Sequence, residues 1–476
     1  MKTHLFTSIS KKLYFLLFLL ICSFAAQATV KLPAFFSDNC IFQQNSTIKI
    51  WGTGIPKKCV TVRFSWNKDE QTVKINENGK WEMTFQSPKA SYTKQTITFD
   101  DGDILKLSNV LFGEVWLCSG QSNMEMPIKG FPNQPIALAD SIIQNTADID
   151  SGIHFFTVKR NASNQPTEDL NGKWFINSAK NVSNFSATAY FFALKLQKEL
   201  NIPVGIINAS WGGTPIESWI PAAMNQQFSD YDTTLIQNEP SKFPSRLYNG
   251  MINPLKSYKI KGFVWYQGEA NTDRYATYEQ KLTGLIQQWR SDWNLSDLPF
   301  LIVEIAPYKY QNGLNSARLR TAQFKTQQNN NTIGIVCTND LVSATDSINI
   351  HPPRKKEIGD RLANLALFNT YQNTSIQALS PTFSNSITQK DTLILTLNNV
   401  YDSIVPMPEF SGFEIAGEDG VFYPAKAILS DNKQQLYLTS EKVLFPLKVN
   451  YCFKNFQLGN VKNSAGLPLF PFRSVE

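Results

Sequence analysis

Between residues 110 and 370 five apolar runs alternate with amphipathic stretches, and the first three end in a polar, glycine-bearing turn. The runs are 114–119 (EVWLCS), 204–210 (VGIINAS), 262–266 (GFVWY), 300–306 (FLIVEIA) and 332–338 (TIGIVCT). Between and after them lie SATAYFFALKLQKEL, a stretch over 273–293, SARLRTAQFKTQQ and KKEIGDRLANLALF, all with apolar residues near helical spacing. Short runs that are apolar on both alternating faces read as strands of a parallel sheet, and the intervening helices must cover both of its sides. In such an α/β sheet ligands sit outside the carboxyl ends of the strands. Turns at Gly120–Asn123, Ser210–Thr214 and Gln267–Asn271 are therefore expected to meet at one rim.

The flanks follow a different rule. Residues 29–108 and 371–476 show period-two alternation broken by Gly, Asn and Pro, which predicts a β domain on either side of an α/β domain at 109–370. Residues 1–28 carry Lys11 and Lys12, the apolar stretch LYFLLFLLICSF and the small-x-small site Ala26-Gln27-Ala28. That pattern predicts a signal peptide cut after Ala28, hence a secreted or periplasmic protein with no stable membrane span.

Loss of that leader removes Lys2, Lys11 and Lys12 and no acid, so a formal charge of +6 falls to +3. With no basic run, nucleic acid is an unsuitable partner. Cys40, Cys59, Cys118, Cys337 and Cys452 would remain, an odd set without a C-x-x-C spacing, which argues against a metal knuckle or a disulfide scaffold. Of three histidines, His4 lies in the leader, leaving His154 and His351 as the candidates for an imidazole base.

Ser122 follows a buried strand on a turn that can hold its hydroxyl clear of the backbone, as a nucleophile or as a helix N-cap. Gly212 and Gly213 let a backbone N–H approach a developing oxyanion, or form a plain tight turn. Gln267 could donate a side-chain hydrogen bond to the same oxyanion, or simply tie a strand end to a loop. Glu217 and Trp219 could line a sugar site or cap and pack the next segment. Asn123 and Glu269, beside Ser122 and Gln267, are further candidates for substrate contact. His351 is stiffened by Pro352 and Pro353 on a loop after the last strand, whereas His154 alternates within an apolar strand and reads as packed.

Together these residues resemble the sialate O-acetylesterase family, a carbohydrate esterase branch of the SGNH-hydrolase superfamily. The resemblance runs from LPAFFSDNCIFQQ through GEVWLCSGQSNMEMP and VWYQGEAN to IHPPRKKEIGDRLA. It implies a flavodoxin-like three-layer parallel-sheet domain between β-sandwich-like domains. It also implies hydrolysis of O-acetyl esters on sugars through an acetyl-serine, with no metal or cofactor. Ser122 would be nucleophile, His351 general base, and the Ser122 amide, a Gly212 or Gly213 amide and Gln267 the oxyanion hole. One departure stands out: the acid often found shortly before the histidine is replaced by Ile348 and Asn349. Asp340, Asp346 or a backbone carbonyl would then orient the imidazole. Acetylated xylan or another polysaccharide is an alternative substrate to sialic acid, and a non-catalytic sugar-binding protein is the alternative of another class.

Overall fold

The structure, a computed structural model, describes residues 30–146, 150–236, 238–328 and 330–475. The expected leader over residues 1–28 lies outside them. The central sheet is built from β1 (Ile104–Gly120), β2 (Ile153–Thr157), β3 (Trp174–Ile176), β4 (Val204–Ser210), β5 (Gly262–Tyr266), β6 (Phe300–Val303) and β7 (Ile333–Val336). Their order is β7-β6-β5-β1-β4-β2-β3, parallel throughout except for β3, which runs antiparallel to β2. All five expected strands are present, and β2 and β3 extend the sheet on the β4 side.

Both faces of the sheet are buried, as the continuous apolar runs require. On β1, Trp116 and Cys118 face one core and Val115 and Leu117 the other. The first core is closed by α2 (Ala187–Leu200) and α5 (Lys355–Asn369) through Phe191, Phe192, Ile358 and Leu362. The second is closed by α3 (Tyr275–Asp292) and α4 (Asn315–Gln327) through Leu282, Trp289 and Leu319. Ser186 caps α2 by accepting the Ala189 N–H, one of the amides that a helix start leaves without a partner. A short helix, α1 (Ser122–Glu125), follows β1 directly.

β1 is 17 residues long and runs straight through positions 108 and 109. Its first half pairs antiparallel with Ser91–Asp100 and parallel with Ile41–Gln43; its second half pairs with β4 and β5. The N-terminal strands are thus hydrogen-bonded to the central sheet. In the C-terminal region two four-stranded antiparallel sheets share a core that includes Leu395, Ile415, Leu438 and Val449. The five cysteines among the described residues are free thiols, with Cys118 and Cys337 buried. Among the described residues no helix is long and apolar enough to cross a membrane, and no three His, Cys, Asp or Glu side chains gather as a metal site.

Candidate active site

β1 has β4 on one side and β5 on the other, so the strand order reverses there, and the turn after β1 opens at that switch point. Gly120 ends the strand at φ 137°, and a Cβ on it would lie 2.1 Å from the Tyr266 carbonyl oxygen, so a side chain there would collide with β5. Gln121 is extended and staples two turns together. Its N–H donates to Tyr266 O at 3.0 Å, and its Oε1 accepts from the Gly268 and Ala270 amides at 3.3 and 3.2 Å. Ser122 then opens α1, where its N–H has no intrahelical acceptor.

His351 arrives from the loop before α5. Its Nε2 lies 2.8 Å from Ser122 Oγ, and its Nδ1 lies 2.5 Å from Oε1 of Gln134. A carboxamide oxygen only accepts, so Nδ1 carries the hydrogen and the Nε2 lone pair faces the serine hydroxyl. Phe131 packs edge-on against the ring at 5.2 Å. The turn 131–134 therefore grips the imidazole from behind. Burial, and after it the nearby positive charge of Lys355, pushes the His351 pKa down from 6.5 to about 4, so the ring is a free base at neutral pH.

Neither expected aspartate orients this histidine. Asp340 is taken by Arg361 at 2.8 Å through both oxygens and by Lys462 at 2.8 Å. Burial opposes its ionisation, but those two cations hold its pKa below the usual carboxylate value. Asp346 is spent on the Ser343 amide and hydroxyl at 2.8 and 2.6 Å, in a capping box at the start of a one-turn helix. The orienting group is a neutral glutamine from a distant loop.

The expected oxyanion donors need similar correction. Gln267 is fully buried, and both hydrogens of its carboxamide are committed, to Thr214 O at 3.2 Å and Asn271 Oδ1 at 2.7 Å. Its Oε1 accepts from Tyr278 at 2.8 Å. It locks the second and third turns together and has no hydrogen left for an oxyanion. Gly212 sits tight against Ser122, where a Cβ would be 3.3 Å from Ser122 Cβ, but its N–H donates to Glu125 Oε2 at 2.8 Å. Gly213 is exposed at φ 72°, and among the described residues no hydrogen bond holds its N–H.

Four other candidates prove to be internal. Glu217 is buried in a network with Lys281, Arg274 and Asn271 at 2.9, 3.2 and 2.9 Å. Trp219 is fully buried, donates to Thr214 Oγ1 at 3.0 Å and packs edge-on against Trp265. Neither faces a ligand, because each side chain is used to shape the second turn from beneath. Asn123 and Glu269 lie behind the elbow, where Asn123 Nδ2 donates to Glu269 Oε1 at 2.5 Å and to the Ile350 carbonyl at 3.0 Å. His154 is packed as expected, between Asn39 O at 2.7 Å and Asp150 Oδ1 at 2.9 Å.

Comparison with known proteins fits this geometry. Residues 112–368, more than half of the chain, from the second half of β1 to within one residue of the end of α5, match the family described as carbohydrate esterase, sialic acid-specific acetylesterase. The chain belongs to this family. It is 33% identical to human sialate O-acetylesterase over 287 residues, 54% of this chain and 52% of the human protein, so over that match it spans about half of the relative's length. With mouse sialate O-acetylesterase it is 28% identical over 455 residues, 80% of this chain and 81% of the mouse protein. A crystal structure of a carbohydrate acetylesterase from Xanthomonas citri superposes with a TM-score of 0.84 at 29% identity, covering 94% of this chain and 99% of that one.

In this carbohydrate esterase family member the sequence hid two parts of the site. Gln134 lies in an irregular loop and has no titratable group to draw notice. Lys355, fully buried, donates to Asn123 Oδ1 and lies over the Tyr266 ring at 5.1 Å. Burial lowers its pKa to about 7 against the opposing pull of Glu269, whose own pKa burial raises. A lysine in the first turn of a helix, at the unfavourable end of the dipole, was the one signal for it. Asn123 joins the two halves, since it follows Ser122 in the chain and holds the carbonyl that precedes His351. At the outer rim, Arg160 clasps Glu125 at 2.5 Å and stacks on Trp211 at 5.3 Å.

Proposed function

We propose that this protein is an exported serine esterase that removes O-acetyl groups from sugars, with O-acetylated sialic acid as the preferred substrate. Ser122 Oγ attacks the acetyl carbon as His351 Nε2 takes its proton. The tetrahedral oxyanion is met by the Ser122 and Gly213 amides. Collapse breaks the bond to the sugar oxygen, which leaves with the proton from His351, and the acetyl group remains on Ser122 as an ester. A water, deprotonated by the same nitrogen, then releases acetate and restores the serine. Gln134 keeps the proton of the resting imidazole on Nδ1 throughout, so Nε2 is always the basic atom.

The observation that carries this reading is the 2.8 Å contact between Ser122 Oγ and a neutral His351 whose far nitrogen is already bonded. A polysaccharide such as acetylxylan is the second reading, favoured by likeness over nearly the full chain to an enzyme named simply a carbohydrate acetylesterase. Acetate release from p-nitrophenyl acetate, O-acetylated sialosides and acetylxylan, by wild type and Ser122→Ala, tests all of this. The sialoside should be turned over with the highest kcat/KM, and Ser122→Ala should be inactive. Faster release from acetylxylan would move the assignment to polysaccharide. Activity that survives Ser122→Ala would refute the mechanism, and a wild type without activity on any of the three would leave a sugar-binding protein.

A further inference from the structure

A cavity of about 600 Å³ lies between α3, α4 and the C-terminal strands, and it shares no lining residue with the Ser122 site. Two guanidiniums enter it. Arg318 lies over the Tyr275 ring at 5.1 Å and donates to that hydroxyl at 2.6 Å. Arg473 lies over the Phe453 ring at 4.4 Å, and its Nε donates to Asn450 Oδ1 at 3.2 Å. Among the described residues neither is bonded to a carboxylate; Glu279 lines the same cavity and pairs with neither.

Arg361, by contrast, is met by both oxygens of Asp340, while the buried Arg290 and Arg320 are, like these two, met by neutral oxygens. Burial, and after it the charge of Arg318, weakens the hold of Arg473 on its proton, against the opposing pull of Glu414, so the two cations stand close enough to repel. Their remaining N–H groups and aromatic floors form a fork-and-plate arrangement that suits a planar carboxylate attached to a ring. The volume is in the range of pockets that hold small ligands.

We propose that this cavity binds a carboxylate-bearing sugar unit, with its carboxylate between Arg318 and Arg473 and its ring on the aromatic wall. The choice of a sugar as the ring rests on the esterase reading above; the demand for an anion does not. Such a site would hold an acidic residue of the glycan apart from the ester being cut.

Titration calorimetry on the full chain tests it, with N-acetylneuraminic acid as ligand, N-acetylmannosamine as the neutral sugar and sodium acetate as the bare anion. Wild type should bind N-acetylneuraminic acid in an event that weakens roughly tenfold or more in Arg318→Gln and in Arg473→Gln and persists in Ser122→Ala. Turnover of p-nitrophenyl acetate should be unchanged in both arginine variants. Equal binding by wild type and variants, equal binding of N-acetylmannosamine, or no binding by wild type would overturn the proposal. Acetate binding as tightly as the acidic sugar would reduce the cavity to an anion site and overturn the sugar assignment. Arg318 is exposed, so its variant carries the test should Arg473→Gln not fold. A wild type that binds the acidic sugar yet hydrolyses no ester would refute the esterase reading and leave this site standing.

Discussion

Replacing Gln134 by glutamate would put a full negative charge where a neutral carboxamide oxygen now stands 2.5 Å from His351 Nδ1. In the wild type the imidazole is held near pKa 4 by burial and by Lys355, with no carboxylate bonded to it to oppose them. An opposite charge at hydrogen-bond distance raises such a pKa by about 1 to 3 units, which places the variant at about 5 to 7. Each unit is about 1.4 kcal/mol of preference for the imidazolium. In the proposed mechanism the imidazolium forms in the transition state of both steps, so the same charge lowers the barrier by up to about 1.4 to 4 kcal/mol, a gain of up to ~10- to 1,000-fold. The gain holds only above the new pKa, where the base is still free.

The assay is kcat/KM for p-nitrophenyl acetate between pH 3.5 and 8.5. Wild type should keep its activity down to an acid limb near pH 4, well below the ordinary histidine range of about 6.5. Gln134→Glu should move that limb upward and raise the plateau at pH 8. Gln134→Ala should leave a mis-set ring and lower the plateau by up to about 100-fold. An acid limb that stays in place in Gln134→Glu, together with an unchanged plateau in Gln134→Ala, would refute the role given to this glutamine.

Three further outcomes follow from the same geometry. Lys355→Met removes the cation beside His351, so the acid limb should rise, though by less than in Gln134→Glu because burial remains the larger cause. Its stability loss in urea should be partly relieved in Lys355→Met/Glu269→Gln, since the single change leaves a buried carboxyl without its counter-charge. Gln267→Ala breaks a buried network and should cost about 2 to 4 kcal/mol in denaturant unfolding, with any fall in kcat/KM tracking the loss of folded protein; a normal stability with a selective drop in kcat would restore it to the oxyanion hole. Asp340→Ala strands Arg361 and Lys462 and should cost about 3 kcal/mol of stability while leaving the pH–rate limb of His351 where it was, and a shifted limb would return Asp340 to the site.

Much of the scaffold was legible because its physics is local. A run such as Val115–Cys118 must bury both faces, and a helix such as Ala187–Leu200 must bury one, so alternation and periodicity fix the layers. The short strands β2 and β3 were not placed in the sheet, since three to five residues carry too little pattern to reveal which edge they join. Likewise the break expected near residue 108 marks a change in hydrophobic grammar, from one buried face to two. The backbone crosses it without interruption as β1, because hydrogen bonding is indifferent to what the side chains bury.

The site divided along the same line. The meeting of Ser122 and His351 was legible because their chemistry is scarce: few serines fall on strand-end turns, and two usable histidines restrict the choice. The orienting residue was not, because a loop glutamine some two hundred positions away carries no charge to mark it. The acids near the histidine in sequence, Asp340 and Asp346, are already satisfied by Arg361, Lys462 and Ser343, and the acceptor is a side-chain amide oxygen rather than a backbone carbonyl. What the imidazole requires for orientation is an acceptor at Nδ1, and any oxygen supplies one; a carboxylate adds only the charge that steadies the imidazolium. Gln267 misled for the converse reason. A carboxamide at a strand end has donors to offer, but a fully buried carboxamide must first satisfy its own hydrogens, and Thr214 and Asn271 take both. Which polar group performs chemistry is thus decided by which is left with an unfilled valence once the fold has closed, and that is a property of partners distant in the chain.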